Sequence, residues 1–195
     1  MQQELSNLKT FGHLSRNKEF AMYNNALYNI TKFPLKNIYN QSKFFRLVLN
    51  FSFRNIDFNK KKALPFFLAM ELLANQKCVA TLSSKNVLQW KLRKGSLVGC
   101  KVTLRQTNLN EFFDNLSLAL PRMEKFTPLK VSSSKKHNGN FITTKINEII
   151  LFYPIELGLG INTEVKYIDI NFMFNTLSIE ERTFLFNFYK IPTKN

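Results

Sequence analysis

Glycine is scarce in this chain. The 195 residues contain six, all scattered, so no glycine-rich loop is available to wrap a phosphate in backbone N–H groups. Cysteine is scarcer: Cys78 and Cys100 are the only two. That density excludes a disulfide scaffold and suits a reducing compartment, with both thiols expected as small buried hydrophobes on strands. His13 and His137 are the only histidines, and neither has a Cys, Asp or Glu at metal-ligand spacing, so no metal site is expected. Acids number 13. Glu148 and Glu156 are the only ones near a candidate pocket, and nothing pairs them for acid–base work. The reading is therefore of a non-enzyme, with no catalytic residue and no cofactor.

Long apolar runs are missing too. The best, Ala63 to Ala74, contains Pro65 and Glu71 and falls short of the roughly 20 residues that a membrane span needs. The first 30 residues show no apolar stretch with a small-residue cleavage site, which argues against a secretory leader. Phe20, Tyr23, Leu27 and Ile30 recur at helical spacing between Lys18 and Lys32. They predict a structural N-terminal helix.

Positive charge is in excess. Lys and Arg total 28, giving a formal charge of +15, a field that attracts nucleic acid or anionic membrane. Its distribution is uneven. No acid occurs between Glu71 and Glu111, whereas Lys77, Lys85, Lys91, Arg93, Lys94, Lys101 and Arg105 all fall there. Membrane docking would call for a basic amphipathic helix, and the densest charge lies instead on predicted strands and loops, so no membrane partner is expected. Phenylalanine, by contrast, occurs 20 times, alongside abundant Asn, Lys and Ile. This is the drift that an AT-rich genome imposes, and it favours an organelle-encoded protein.

The most informative segment runs from Trp90 to Arg105. Leu88, Trp90 and Leu92 alternate with Gln89, Lys91 and Arg93; after a Lys94-Gly95-Ser96 turn, Val98, Cys100, Val102 and Leu104 alternate with Lys101, Thr103 and Arg105. Side chains point to opposite sides of a strand in succession, so this predicts a hairpin with one apolar face and one cationic face. Trp90 is read as core on that basis. Residues 44–54 predict another such strand, with Phe45, Leu47, Leu49, Phe51 and Phe53 inward and Arg46, Val48, Asn50, Ser52 and Arg54 outward. A helix is expected over 63–75 with Pro65 in its first turn, and a short strand over Cys78–Leu82. A second helix is expected from 109 to about 120, capped by Asn108 with Glu111. Residues 127–147 read as an exposed basic loop, and 148–153 and 165–174 as strands. Ser178 with Glu181 forms a capping box opening a last helix to about 189. Together these predict an N-terminal extension and helix over 1–43 and a single α+β domain over 44–195. Its antiparallel-rich sheet carries helices on one face and leaves an open basic face.

The segment Lys91-Leu-Arg-Lys-Gly-Ser-Leu-Val-Gly-Cys-Lys-Val-Thr-Leu-Arg105 closely resembles the signature of large-subunit ribosomal protein number five, the 5S-rRNA-binding protein of the central protuberance. Asn75-Gln76-Lys77 is similar to the family's Gly-Gln-Lys-Pro. Glu111-Phe-Phe113 with Pro121-Arg-Met-Glu-Lys-Phe126 resembles its next helix and Pro-Arg-Ile-Arg-Asp-Phe turn, and Gly139-Asn-Phe141 its Gly-Asn-Tyr. The likeness covers roughly residues 44–192 and is strongest over 91–126. It implies an α+β sandwich whose open sheet face docks on 5S rRNA or other large-subunit rRNA. It further implies a strand-connecting loop that reaches the P-site tRNA, and contacts with neighbouring ribosomal proteins, including one of the small-subunit head. By position, Asn50, Gln76, Lys77, Lys101, Thr103 and Arg105 become the implied rRNA-binding set. Ser84, Lys85, Asn86, Lys91 and Arg93 become the tRNA-facing loop.

The chain departs from the family at several points. Phe51-Ser52-Phe53-Arg54 stands in place of a Gly-rich run, Cys78 in place of a Pro, and Leu82-Ser83-Ser84-Lys85 in place of a more basic loop. With the composition, these departures point to a diverged mitochondrial ribosome in preference to a plastid or bacterial one. If about five of the seven cations between 77 and 105 neutralise phosphates, RNA affinity should fall with salt at a log–log slope of about −3 to −5. The alternative is an RNA-binding module outside ribosomes, which would need a stacking aromatic on the open face.

Overall fold

The computed structural model describes residues 42–53, 60–90, 92–124, 126, 128–130, 141–157, 167–175 and 179–194. In chain order its elements are β1 (Lys43–Ser52), α1 (Lys60–Ala74), β2 (Val79–Leu82), β3 (Leu97–Leu104), α2 (Gln106–Ala119), β4 (Leu129–Lys130), β5 (Phe141–Ile146), α3 (Tyr153–Leu157), β6 (Ile168–Asn175), α4 (Ile179–Phe188) and β7 (Thr193–Lys194). Short 3-10 turns occupy Leu88–Trp90, Leu120–Arg122 and Ile149–Leu151. Five strands form one sheet in the order β2-β3-β1-β6-β5, with every neighbouring pair antiparallel. β4 and β7 pair in parallel as a separate ribbon. This is the expected α+β fold. None of the described helices is long and apolar enough to cross a membrane.

Period-two patterning puts one face of the sheet into the core. Leu47, Leu49 and Phe51 of β1 are buried beside Cys100, Val102 and Leu104 of β3, and beside Ile168, Ile170, Phe172 and Phe174 of β6. Helices cover this face because their apolar residues recur every three or four positions. Phe66, Met70 and Leu73 form the buried stripe of α1, and Leu109, Phe112, Phe113 and Leu116 that of α2. The surplus phenylalanine is absorbed here. Phe51 stacks on Phe66 with ring centres 4.7 Å apart, and Phe44 lies 4.9 Å from Phe113 and 5.2 Å from Phe186. Such pairs add about 0.5–1.5 kcal/mol each beyond the area they bury.

Several sequence expectations are corrected. Residues 87–93 are not a strand. β3 pairs with β2 on one edge and β1 on the other, and Leu88, expected on the apolar face with Trp90 and Leu92, is 92% exposed in a 3-10 turn. Alternation over so few residues does not require a sheet partner. The Trp90 side chain lies outside the described residues.

Residues 141–146, read as part of a basic loop, form the edge strand β5, with Ile142, Thr144 and Ile146 buried and Phe141, Thr143 and Lys145 exposed. Residues 148–153 are not a strand either. Ile149, Phe152 and Ile155 are buried at intervals of three, the spacing of a 3-10 turn running into α3.

α1 begins at Lys60, which leaves Pro65 inside the helix instead of in its first turn. α2 begins at Gln106 with extended Arg105 as its N-cap and no side-chain cap; Asn108, the expected cap, donates to Gln76 Oε1 at 3.0 Å. Glu181 accepts a hydrogen bond from Ser42 Oγ at 2.7 Å, while Ser178, its expected capping-box partner, lies outside the described residues. So do the N-terminal helix, His13, His137 and Lys91.

In β1 the register slips between Phe44 and Arg46. These residues face Phe174 and Met173, which are adjacent in β6, so Phe45 is the extra residue of a β-bulge. Phe44 therefore enters the core, and Phe45, expected inside, is 59% exposed.

Candidate nucleic-acid interface

The other face of the sheet carries no described helix and reads in cross-strand rows. Lys101 of β3 lies opposite Asn50 of β1, Asn50 opposite Asp169 of β6, and Asp169 opposite Lys145 of β5. The next row runs Thr103, Val48, Asn171 and Thr143. At the end lie Arg46, Met173 and Phe141, with Arg105 just past the last residue of β3. Lys101, Thr103, Arg105, Thr143 and Lys145 are exposed, and Asn50 and Asn171 are half-buried. Four cations against one acid leave this surface positive, with amides and hydroxyls between the charges. Lysine presents a point charge to phosphate, while arginine can fork onto two oxygens.

Side-chain contacts order the ends of the face. Arg46 Nε donates to Met173 Sδ at 2.7 Å. Lys145 Nζ sits 3.9 Å from the centre of the Tyr167 ring, and Tyr167 Oη donates to the Ser52 carbonyl at 3.1 Å. Gln76 bridges two elements: its Nε2 donates to the Thr103 carbonyl at 2.9 Å while its Oε1 accepts from Asn108. That clamp joins the end of α1 to the β3–α2 junction, and it engages one donor and one acceptor position of the Gln76 amide in protein contacts. Exposed Lys77 follows directly in the chain.

The β2–β3 connection is a second cluster. It folds back on itself through Ser83 N–H to Ser96 O and Gly95 N–H to Ser83 O, each 2.9 Å, and through paired Val87–Leu92 bonds of 2.9 and 3.0 Å. Asn86 Oδ1 accepts from the Lys94 N–H at 2.6 Å, and Ser96 Oγ donates to the Arg93 carbonyl at 2.7 Å. Gly95 turns the chain with φ of +84°, a conformation that costs glycine little. Ser84, Lys85, Asn86 and Arg93 are exposed on this projection. Asn86 therefore holds the loop's shape as well as lying at its surface.

The sequence-derived residues with described side chains thus fall in three places. Asn50, Lys101, Thr103 and Arg105 share the sheet face, Gln76 and Lys77 follow α1, and Ser84, Lys85, Asn86 and Arg93 belong to the loop. Arg46, Asn171, Thr143 and Lys145 complete the face and were not in the expected set. Their signal was present, since Phe141-Ile-Thr-Thr-Lys-Ile146 alternates as a strand does.

Beneath the face lie the two thiols. Burial, then the charge of neighbouring Cys78, pushes Cys100 up to about 12; burial, then the Glu71 carboxylate, pushes Cys78 up to about 11. Both are held as neutral thiols and face away from the open surface. Among the described residues no group of three or more His, Cys, Asp or Glu side chains is placed to hold a metal ion.

No protein-family model matches the chain. It is 33% identical to the large ribosomal subunit protein uL5 of Clostridium perfringens over 162 residues, 83% of this chain and 88% of that protein. The uL5 of Blochmanniella floridana is 30% identical over 165 residues, 84% of this chain and 85% of its own. That of the Wolbachia of Brugia malayi is 33% identical over 162 residues, 83% and 89% of the two chains. Identity at this level spans nearly the whole of each relative. The chain belongs to the uL5 family of large ribosomal subunit proteins.

Proposed function

We propose that this chain is a structural, non-enzymatic component of a mitochondrial large ribosomal subunit, which holds folded rRNA against its open sheet face. The observation that carries this reading is the row Lys101, Asn50, Asp169, Lys145, flanked by Arg46 and Arg105, on a face that no described helix covers. Structured RNA is recognised mostly through shape, phosphates and 2′-hydroxyls, and evenly spaced cations, amides and hydroxyls suit that task. Asn50, Gln76, Lys77, Lys101, Thr103 and Arg105 are the proposed rRNA contacts, with 5S rRNA the partner where the ribosome retains it. The loop bearing Ser84, Lys85, Asn86, Lys91 and Arg93 is the proposed tRNA-facing element. Neighbouring ribosomal proteins, one of them in the small-subunit head, complete the proposed partners. The mitochondrial assignment rests on the Phe-, Asn- and Lys-rich, Gly-poor composition. The rival of a free-standing RNA-binding module gains an exposed aromatic in Phe45, but family membership favours the ribosome.

Binding to rRNA from the same ribosome, measured across salt concentrations, tests the reading. About four phosphate contacts, from Arg46, Lys101, Arg105 and Lys145, predict a log–log slope of about −3 to −4. Lys101→Ala with Arg105→Ala should weaken binding and flatten the slope by roughly 1.5. In a gradient of mitochondrial lysate the protein should travel with large subunits and be released by ribonuclease. A slope that the double variant leaves unchanged, or sedimentation indifferent to ribonuclease, refutes the proposal.

A further inference from the structure

We propose that Phe45, beside Arg46 and Arg105 at the end of the open face, is a stacking platform for one unpaired nucleobase of the bound RNA. This rests on the rRNA-binding reading and specifies a chemical subsite within it. The bulge in β1 separates two consecutive phenylalanines. Phe44 goes inward among Phe113, Phe186 and Tyr189, with ring centres 4.9 to 5.2 Å away. Phe45 goes outward and stays 59% exposed.

A lone exposed phenylalanine is ordinary on a protein surface. The surroundings of this one are not. The guanidinium carbon of Arg105 lies 5.7 Å from the ring centre and that of Arg46 lies 6.0 Å from it. Both contacts are within cation–π range of the ring. Arg46 is itself held by the thioether of Met173, and Met173 pairs across the sheet with Phe141. The end of the face therefore joins aromatic rings and a thioether to two guanidinium groups, whereas the rows beside it carry lysines, amides and hydroxyls.

A base has a π-face that such a ring can cover, and its flanking phosphates would meet the two arginines. A protein partner fits less well, because an apolar docking patch bounded by two cations would strand their charges. A continuous duplex keeps its bases stacked on one another, so the ring selects a bulged or looped-out nucleotide. Ring–base stacking tolerates any base, and the selection is for structure instead of sequence.

Two RNA hairpins test this, identical except that one carries a single unpaired 2-aminopurine in its stem. The full chain should bind the bulged hairpin about 5- to 150-fold more tightly than the paired one, the range for one stacked base. The 2-aminopurine fluorescence should be quenched on binding. Phe45→Ala should abolish both the preference and the quenching. It should leave the salt slope unchanged, because no charge is removed, and should cost the paired hairpin far less affinity than the bulged one. Phe45→Trp should restore the preference, and an unshifted melting temperature would show that each variant folds. An unchanged preference in Phe45→Ala, or no preference in the wild type, overturns the subsite while rRNA binding stands. Failure of the wild type to bind either hairpin in a salt-dependent way overturns the rRNA reading as well.

Discussion

Replacing Gly99 with alanine tests what sets the spacing of the strands that carry the proposed RNA contacts. Gly99 lies opposite Ser52, two register positions from the Asn50–Lys101 pair. A Cβ added there would meet the Phe51 carbonyl oxygen at 2.1 Å, with the Phe51 carbonyl carbon and Ser52 Cα each at 3.1 Å. Even close carbon–oxygen contacts between strands stand at about 3.3 Å, so roughly 1 Å of relief is needed. All three obstructing atoms are backbone. They belong to β1, the middle strand, which is laddered to β3 on one side and β6 on the other. No flexible side chain can yield.

Overpacking a core typically costs about 1–3 kcal/mol, and an unyielding backbone puts this case near 3 kcal/mol. At about 2–4 °C per kcal/mol for a chain of this size, Gly99→Ala should melt roughly 6–12 °C below the wild type. Gly95 is the control. Its φ is +84°, but a Cβ there meets nothing within 4 Å. Only the left-handed backbone penalty of about 1–2 kcal/mol applies, or roughly 2–8 °C. Circular-dichroism melts of both variants in one buffer measure the difference, and Gly99→Ala should also lose RNA affinity while still folded. If it melts within about 2 °C of the wild type, or if Gly95→Ala proves the worse, the steric account of this strand pair is wrong.

Two further outcomes follow from buried polar groups. Ser42 Oγ donates to the buried Glu181 carboxylate at 2.7 Å, tying the start of β1 to α4. Ser42→Ala should cost about 1.5–3 kcal/mol, read by urea denaturation, and an unchanged midpoint would mean that the bond contributes nothing net. The thiols predict alkaline behaviour. Cys78 and Cys100 hold their protons up to about 11 and about 12 against an ordinary value of 9.0, so the unfolded chain releases them first. Their contribution to stability is therefore complete below pH 9 and is lost as pH rises through 11 to 12. Iodoacetamide at pH 8 should label native Cys78 about 100-fold more slowly than a free thiol. Labelling at the free rate, or an alkaline decline in melting temperature that Cys78→Ser leaves unchanged, contradicts this.

Much of the open sheet face was legible because a strand enforces its own periodicity. Lys101, Thr103 and Arg105 had to share a side opposite Cys100, Val102 and Leu104, and they do. The helices expected over 63–75 and from 109 to about 120 formed too, each starting three residues earlier. The failures cluster where a short pattern had two solutions. Leu88, Trp90 and Leu92 alternate, but a strand forms only where a neighbour supplies hydrogen bonds, and β2 had already taken that edge of β3. Ile149, Phe152 and Ile155 bury a helical turn that two adjacent isoleucines disguised as a strand. Phe44 and Phe45 are the sharpest case. Identical residues in succession reveal nothing of which one turns inward, and a bulge reverses the parity on one side of it.

The linear chain alone determined the net positive charge, the absence of a catalytic or metal-binding constellation in its motifs, and the polar side of β3. Composition and side-chain alternation are local properties that need no partner. Tertiary structure decided which strands stand side by side, so that cations from β1, β3 and β5 gather on one surface. It also decided that Gln76 would clamp Thr103 and that Phe45 would emerge beside two arginines. Those outcomes depend on register between segments far apart in the chain, where a shift of one residue carries every side chain to the opposite face.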